Sequence, residues 1–320
     1  MTVRVAMLGA GAMARKVHFP SLASFSDVEI VAVCDLDPAR LNDAADAYGI
    51  RGRYADYRAM VERERPDAVF AVGPPHVLYD AWVWLLHQGV NLFIEKPLGI
   101  TMHQADMLAW LAEEHGCITQ VGFQRRTTPA TVAMREACLR HGPIEHAIVR
   151  FYKHEFGPKL TAWDRVLDDA THAIDTLRWL CGGDLIDLQV RAARHGVPDI
   201  NFLTTTLAFD TGATGQAHLN WCSGRRIFSI DLHARGVAAE IDTEGDVVLF
   251  EQNDATGVRT SSQALAGSDE FFIFGGFQAK DREFIDAVRD RALPSSHFGD
   301  ARRTMEIVHR ILATITLAGI

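Results

Sequence analysis

Four short segments carry residues whose types and spacing could do chemistry. The first is Gly9-Ala10-Gly11-Ala12-Met13-Ala14, a G-x-G-x-x-A pattern between an apolar run and a helix-patterned stretch. In such a turn the first glycine permits the tight bend and the second lets the backbone approach a pyrophosphate. The small third residue allows close helix–strand packing. The helix that follows presents unpaired N–H groups and a partial positive charge to the phosphates, so Gly9, Gly11, Ala12 and Met13 are expected to bind them. A glycine turn alone is a weak signal, but Asp35 follows about 20 residues on, at the end of a second strand-like run. A carboxylate there accepts hydrogen bonds from adenosine ribose hydroxyls and repels a 2′-phosphate, which predicts NAD rather than NADP. The competing role for Asp35 is an ordinary structural cap.

The second and third segments are Gly73-Pro74-Pro75-His76 and Glu95-Lys96-Pro97, each closing a strand-like run. Both fall on the edge where ligands bind in open α/β sheets. Pro74 and Pro75 fix an extended backbone with few donors, suited to lining a nicotinamide-side cleft. His76 reads equally well as a surface residue. A lysine in a partly buried cleft can take part in proton transfer, while the bland reading of Glu95 and Lys96 is a solvated charge pair. The fourth is Asp168-Asp169-Ala170-Thr171-His172-Ala173-Ile174-Asp175, opening a helix. Asp168 and His172, four apart, share one helix face. A carboxylate beside an imidazole fixes its tautomer and raises its basicity, as a general base requires. Alternatively Asp168 or Asp169 caps the helix, and Asp175 is expected to pair with Arg178.

These segments need a scaffold, and its elements follow from the pattern. Val3–Leu8, Val28–Cys34, Ala68–Val72, Asn91–Glu95 and Ile118–Phe123 read as strands. Helical stretches at Met13–Phe25, Pro38–Tyr48, Val77–Gln88 and Met102–His115 alternate with them. That alternation predicts an N-terminal Rossmann domain, a doubly wound parallel sheet over residues 1–123. Beyond residue 124 the rhythm changes. Helices are expected at Pro129–Arg140 and Ala170–Leu180, and strands at Ile144–Tyr152, Leu185–Ala193, Phe202–Phe209, Gly215–Cys222, Ile227–Ala234 and Ala238–Phe250, the last broken near Glu244-Gly245. Strands without intervening helices make residues 124–320 an α+β domain with a large, mostly antiparallel sheet. Gln278–Arg291 and Ala301–Leu317 complete the chain as helices, and Asn253–Ser268 reads as a loop.

Bulk properties narrow the function classes. A net charge of −9 disfavours nucleic acid and anionic membrane surfaces as partners. No stretch approaches the roughly 18 apolar residues of a spanning helix, and the short apolar start lacks a cleavage site. The five cysteines are widely spaced with no Cys-x-x-Cys pair, which suits reduced thiols in a cytoplasm and no structural metal.

Together the segments resemble the Gfo/Idh/MocA oxidoreductase family, named for glucose–fructose oxidoreductase, inositol dehydrogenase and a rhizopine-catabolism protein. The resemblance spans nearly the whole chain. It includes the glycine turn with His18-Phe19-Pro20, then Pro74-Pro75-His76, Gln88-Gly89-Val90 and Glu95-Lys96-Pro97-Leu98. It continues through Gly122-Phe123-Gln124-Arg125-Arg126, Asp168-x-x-x-His172-x-x-Asp175 and Phe284-Ile285-Asp286-Ala287. The resemblance implies hydride transfer between NAD and a secondary alcohol or ketone of a sugar, cyclitol or related polyol. Lys96 would touch the nicotinamide ribose and the reacting hydroxyl, His172 would be the acid/base, and Asp168 would support them. One face of the second sheet would cover the active site and the other would form a homodimer or homotetramer interface. Arg126, Tyr152, Lys153, His154 and Trp163 are candidate substrate contacts. The chain departs from the family at Gly73, where a threonine or serine is common, and at Trp163-Asp164-Arg165-Val166-Leu167, where the family often has a glycine-rich run. A redox-neutral NAD-using lyase or glycosidase and a non-catalytic dinucleotide sensor are the alternatives.

Overall fold

A computed structural model describes residues 2–159 and 164–319. The chain divides into two compact units. The first comprises Met1–Phe123 with Phe271–Ile273 and Phe277–Arg303, and the second comprises Gln124–Glu270 with Phe274–Gly276 and Thr304–Ile320.

The first unit is built on six parallel strands, β1 (Val3–Leu8), β2 (Val28–Cys34), β3 (Gly52–Tyr54), β4 (Ala68–Ala71), β5 (Asn91–Ile94) and β6 (Thr119–Val121), in the order β3-β2-β1-β4-β5-β6. This is the doubly wound order expected of the first domain, and its reversal point lies between β1 and β4. The inner strands are mostly apolar, β4 entirely so, because helices cover both faces. Phe70 stacks on Phe93 at 4.6 Å, and Phe284 closes edge-on at 5.3 Å from Phe70. Phe284 and Ile285 come from the helix Phe277–Asp290, so a segment from the far end of the chain helps fill the first unit's core. Each such side chain contributes about 1.5–3 kcal/mol by burial.

Two elements here lacked a sequence signal. β3 has three residues, too few for a period, and Gly52 is needed because a Cβ there would meet the Val31 carbonyl oxygen at 2.7 Å. The helix Tyr57–Glu64 is mostly polar, and the Asp56 side chain starts it by accepting from the Arg58 N–H at 2.9 Å.

The second unit carries eight strands, β7 (His146–His154), β8 (Leu185–Ala193), β9 (Phe202–Phe209), β10 (Thr214–Asn220), β11 (Cys222–Ala234), β12 (Val237–Asp242), β13 (Asp246–Glu251) and β14 (Val258–Ser261). Their order is β14-β13-β12-β11-β7-β10-β9-β8, and every pair is antiparallel except β10 with β7. Residues alternate across the sheet. Ala147, Val149, Phe151, Ala217, Leu219, Leu203 and Leu207 are buried on the face that the helix Thr171–Cys181 covers. Gly215 admits that helix closely, since a Cβ there would lie 3.3 Å from Leu177. The opposite face presents partly exposed His146, Ile148, Arg150 and Tyr152 on β7, and Gln216, His218 and Asn220 on β10.

Residues 253–268 are not a loop throughout. β14 pairs with β13, and the helix Ser262–Ala266 follows, started by the Ser261 hydroxyl accepting from the Ala264 N–H at 3.0 Å. Small polar residues resemble loop composition, but here they make an edge strand and a cap.

Candidate active site

The first unit gathers its functional residues at the carboxyl edge of its sheet. Gly9 ends β1 at φ +99°, and a Cβ there would stand 2.2 Å from the Val72 carbonyl oxygen, so only glycine fits. Nothing lies within 4 Å of a Cβ built on Gly11, which leaves the approach to the following helix start open. Ala14 is fully buried against the core, the small residue that close packing requires. These features fit a dinucleotide pyrophosphate at Gly11, Ala12 and Met13.

Asp35 is held by the backbone on both sides of its carboxylate. One carboxylate oxygen accepts from the Ala10 N–H and the other from the Asp37 N–H, each at 2.8 Å. The carboxylate thus ties the end of β2 to the glycine turn. Each oxygen keeps a second lone pair, so ribose hydroxyls can still be received. The helix Pro38–Tyr48 has its own cap, Asp37, which accepts from the Ala39 N–H at 2.9 Å.

After β4, Pro74 is extended and Pro75 is already the first residue of the helix Pro75–His87. The expectation of two extended prolines therefore holds for one of them. His76 is exposed in that helix's first turn. After β5, Glu95 is not a solvated surface charge. Its carboxylate receives His18 Nε2 at 3.1 Å, and Gly122 makes room for it, because a Cβ there would lie 2.7 Å away. The other ring nitrogen of His18 meets Asp281 at 3.0 Å. Burial pulls the His18 pKa down, but Asp281 and Glu95 together outweigh it and raise it to about 10. Lys96 is partly buried beside Glu95 on the same edge.

In the second unit, Asp168 and Asp169 lie on a π-helical turn, Val166–Ala170, that runs directly into the helix carrying His172. Wide turns of this kind occur often at functional sites. Asp168 pairs with Lys159. Asp169 is buried and receives Lys153 at 2.9 Å and the Trp221 indole N–H at 2.6 Å. Burial would depress the Lys153 pKa, yet Asp169 and Glu155 outweigh it and raise it. Lys153, Glu155, Lys159, Arg165 and Asp168 line a cleft of about 510 Å³. His172 sits one turn beyond Asp168, with its ring edge-on to Phe151 at 6.5 Å.

Strand parity separates the candidate substrate contacts. Lys153 points to the same side of β7 as Phe151, toward the helix bearing His172, and Tyr152 points to the other. Tyr152 therefore does not share the face of the acid/base candidate. Arg126 is also committed elsewhere: it is buried, with Nε 2.7 Å from Asp175. Thr304 joins them, donating to Asp175 at 2.9 Å and accepting from Arg178 at 3.0 Å. Arg178, the partner expected for Asp175, shares Thr304 with it, and Arg126 makes a bidentate contact with Asp175. Trp163 lies outside the described residues. Among the described residues, no group of three or more His, Cys, Asp or Glu side chains converges as a metal site, and no helix is long and apolar enough to cross a membrane.

A dinucleotide-binding edge on a doubly wound sheet, joined to an α+β unit with a carboxylate–histidine element, defines an oxidoreductase of the NAD-binding Rossmann class. Residues 3–123 match the family described as "Oxidoreductase family, NAD-binding Rossmann fold", the Gfo/Idh/MocA family. The chain is 27% identical to the inositol 2-dehydrogenase of Burkholderia lata, over 94% of this chain and 91% of that protein. It is 29% identical to the rhizopine catabolism protein MocA of Rhizobium meliloti, over 95% and 92%. A dehydrogenase structure from Chromobacterium violaceum superposes with a TM-score of 0.90 at 23% identity, covering 99% of this chain and 96% of that one.

Proposed function

We propose that the enzyme reversibly oxidises a secondary alcohol on a cyclitol, sugar or related polyol, with NAD preferred to NADP. The observation that carries this reading is the carboxyl edge of the first sheet, where an open glycine turn, Asp35 and Lys96 lie on one rim. NAD supplies the hydride acceptor when bound. Gly9, Gly11, Ala12 and Met13 would hold its pyrophosphate and Asp35 its adenosine ribose, and Pro74, His76, Glu95 and Lys96 would border its nicotinamide half. In oxidation His172 takes the hydroxyl proton and Asp168 supports it. Lys96 donates a charge-assisted hydrogen bond to the developing alkoxide. The cyclitol or sugar class is supported by the relative named inositol 2-dehydrogenase, and Lys153 replaces Tyr152 and Arg126 as the substrate contact favoured by its side of β7.

Residues Arg150 and Asp231 pair on the partly exposed face of the second sheet, opposite the helix-covered one, and that face supports a homodimer or homotetramer. The unpaired cysteines, four of them buried, support a reducing cytoplasm. The net charge of −9 supports small-molecule partners over nucleic acid or membrane. The test is NAD reduction across inositols, neutral sugars, sugar acids and amino sugars. Steady NADH production from one class supports the reading, and turnover of a glycoside without net NADH would replace it with the redox-neutral alternative.

A further inference from the structure

His18-Phe19-Pro20 follows the glycine turn, yet neither binding nor proton transfer uses it. Pro20 has no N–H, which removes one rung of the helix. The chain responds with a π-helical turn, Ala14–His18, in which Phe19 N–H reaches the Ala14 carbonyl. That turn delivers the His18 imidazole into the first unit's interior, where it is 1% exposed. Its neighbours are the rings of Phe70, Phe93 and Phe277, with Phe93 edge-on at 5.2 Å. The titratable groups facing it are Glu95, from the end of β5, and Asp281, from the helix Phe277–Asp290. Asp281 is itself fully buried.

Hydrogen-bond bookkeeping then decides the charge. A neutral imidazole donates from one nitrogen only, whereas an imidazolium donates from both. Two carboxylates, one at each ring nitrogen, beside aromatic rings are best served by the cation. A buried carboxylate left without its partner is strongly unfavourable. Glu95 is the residue before Lys96, so whatever holds the Glu95 carboxylate also sets where the chain presents Lys96.

We propose that His18 is a positioning residue: an imidazolium clamped between Asp281 and Glu95 that anchors the end of β5 and thereby aims Lys96. The clamp links three segments far apart in sequence, namely the helix that starts at the glycine turn, the Glu95-Lys96-Pro97 segment and the helix Phe277–Asp290. It rests on the role given to Lys96 above, but its charge state and its effect on Lys96 can be read without any substrate.

The test uses the full-length enzyme. In histidine-labelled protein, nitrogen NMR with the His18 signal assigned by His18→Gln should show both ring nitrogens protonated at pH 8, where an ordinary histidine is neutral. A neutral ring at that pH overturns the clamp. Carbon-13 methylation of the lysines, with Lys96 assigned by Lys96→Arg, should give a Lys96 signal that moves in His18→Gln and in Asp281→Asn. An unmoved signal in both folded variants overturns the aiming role. On the substrate found by the screen, His18→Gln should lower kcat about 100-fold, as a displacement near 1 Å can. NAD dissociation constants should stay within about threefold, because the phosphate contacts lie at the glycine turn. Equal losses in kcat and NAD affinity would make His18 a support of the glycine turn instead. Adding Glu95→Gln to His18→Gln should cost little more than either change alone. Should His18→Gln not fold, Glu95→Gln, which leaves the Asp281 pair in place, carries the same kinetic and lysine-signal comparisons. If Lys96→Ala turns over normally, the role of Lys96 fails whatever the NMR reports for His18.

Discussion

The two units build their functional regions by opposite means. In the first, parallel strands end together, and the chain itself places Gly9, Asp35, Gly73 and Glu95 on one rim. The binding proposed there is mostly by backbone, so the controlling feature is the absence of side chains, as at Gly9 beneath the Val72 carbonyl. In the second, the sheet is antiparallel and the region is made of charged side chains paired across long sequence distances, such as Lys153 with Asp169 and Arg165 with Asp199. A rim of strand ends tolerates changes that spare the backbone. A network of paired charges fails wherever one partner is removed.

Substitutions at the two proposed reacting groups should have the largest effects and bear on both regions. His172→Ala and Lys96→Ala should each lower turnover by about 10²–10⁴-fold, with NAD affinity held within a few-fold in a fluorescence titration. A His172→Ala enzyme with near-normal turnover would make the second unit's element structural and leave Lys96 as the base.

Next in size is a stability contrast inside the second unit. Arg126→Ala strands the buried Asp175 carboxylate and should cost about 3–5 kcal/mol in denaturant unfolding. Tyr152→Phe, on the opposite side of β7 from Phe151, should change kcat/KM by less than about twofold, within the effect expected of a surface change. A KM effect at Tyr152 with no stability effect at Arg126 would reverse the assignment of these residues.

Asp35 tests whether a backbone-built rim can hide a side-chain role. Asp35→Ser should narrow the NAD-over-NADP preference and also destabilise the fold by about 1–3 kcal/mol, since the Ala10 N–H loses its acceptor. Stability lost at unchanged preference would reduce Asp35 to a tie between β2 and the glycine turn.

A pH dependence tests the first unit alone. His18 is raised to about 10 from an ordinary 6.5, by Asp281 and Glu95 against the opposing pull of burial. A raised pKa stabilises the folded state fully below about 6.5, and that contribution fades as pH climbs through 10. The unfolding midpoint should therefore fall between pH 7 and 10, and Asp281→Asn should flatten the slope. An equal slope in both proteins would place the titration elsewhere.

Much of this architecture is legible in the residue order. Alternating apolar runs and helical stretches in the first 123 residues specify a parallel sheet, because each strand must be followed by a crossover that covers it. The glycine turn and Asp35 are readable for a related reason: their roles depend on local backbone geometry and on a spacing of one βαβ unit. The spacing Asp168-x-x-x-His172 is likewise visible, whereas the π-helical turn that carries Asp168 and its pairing with Lys159 are not.

Tertiary structure alone decided the rest. Arg126 and Arg178 look alike along the chain, yet Arg126 makes the bidentate pair with Asp175 while Arg178 reaches Thr304, a partner supplied 126 residues away. Tyr152 and Lys153 are adjacent in sequence, and only the pairing of β7 with β10 and β11, with one face buried, settles which of them looks toward His172. His18 meets an aspartate 263 residues distant, and no local period encodes that meeting. Patterning determines which face of an element is buried, because burial responds to the average character of many residues. The partner of a single buried charge depends on which distant groups folding brings within about 3 Å, and the sequence carries that only through the fold as a whole.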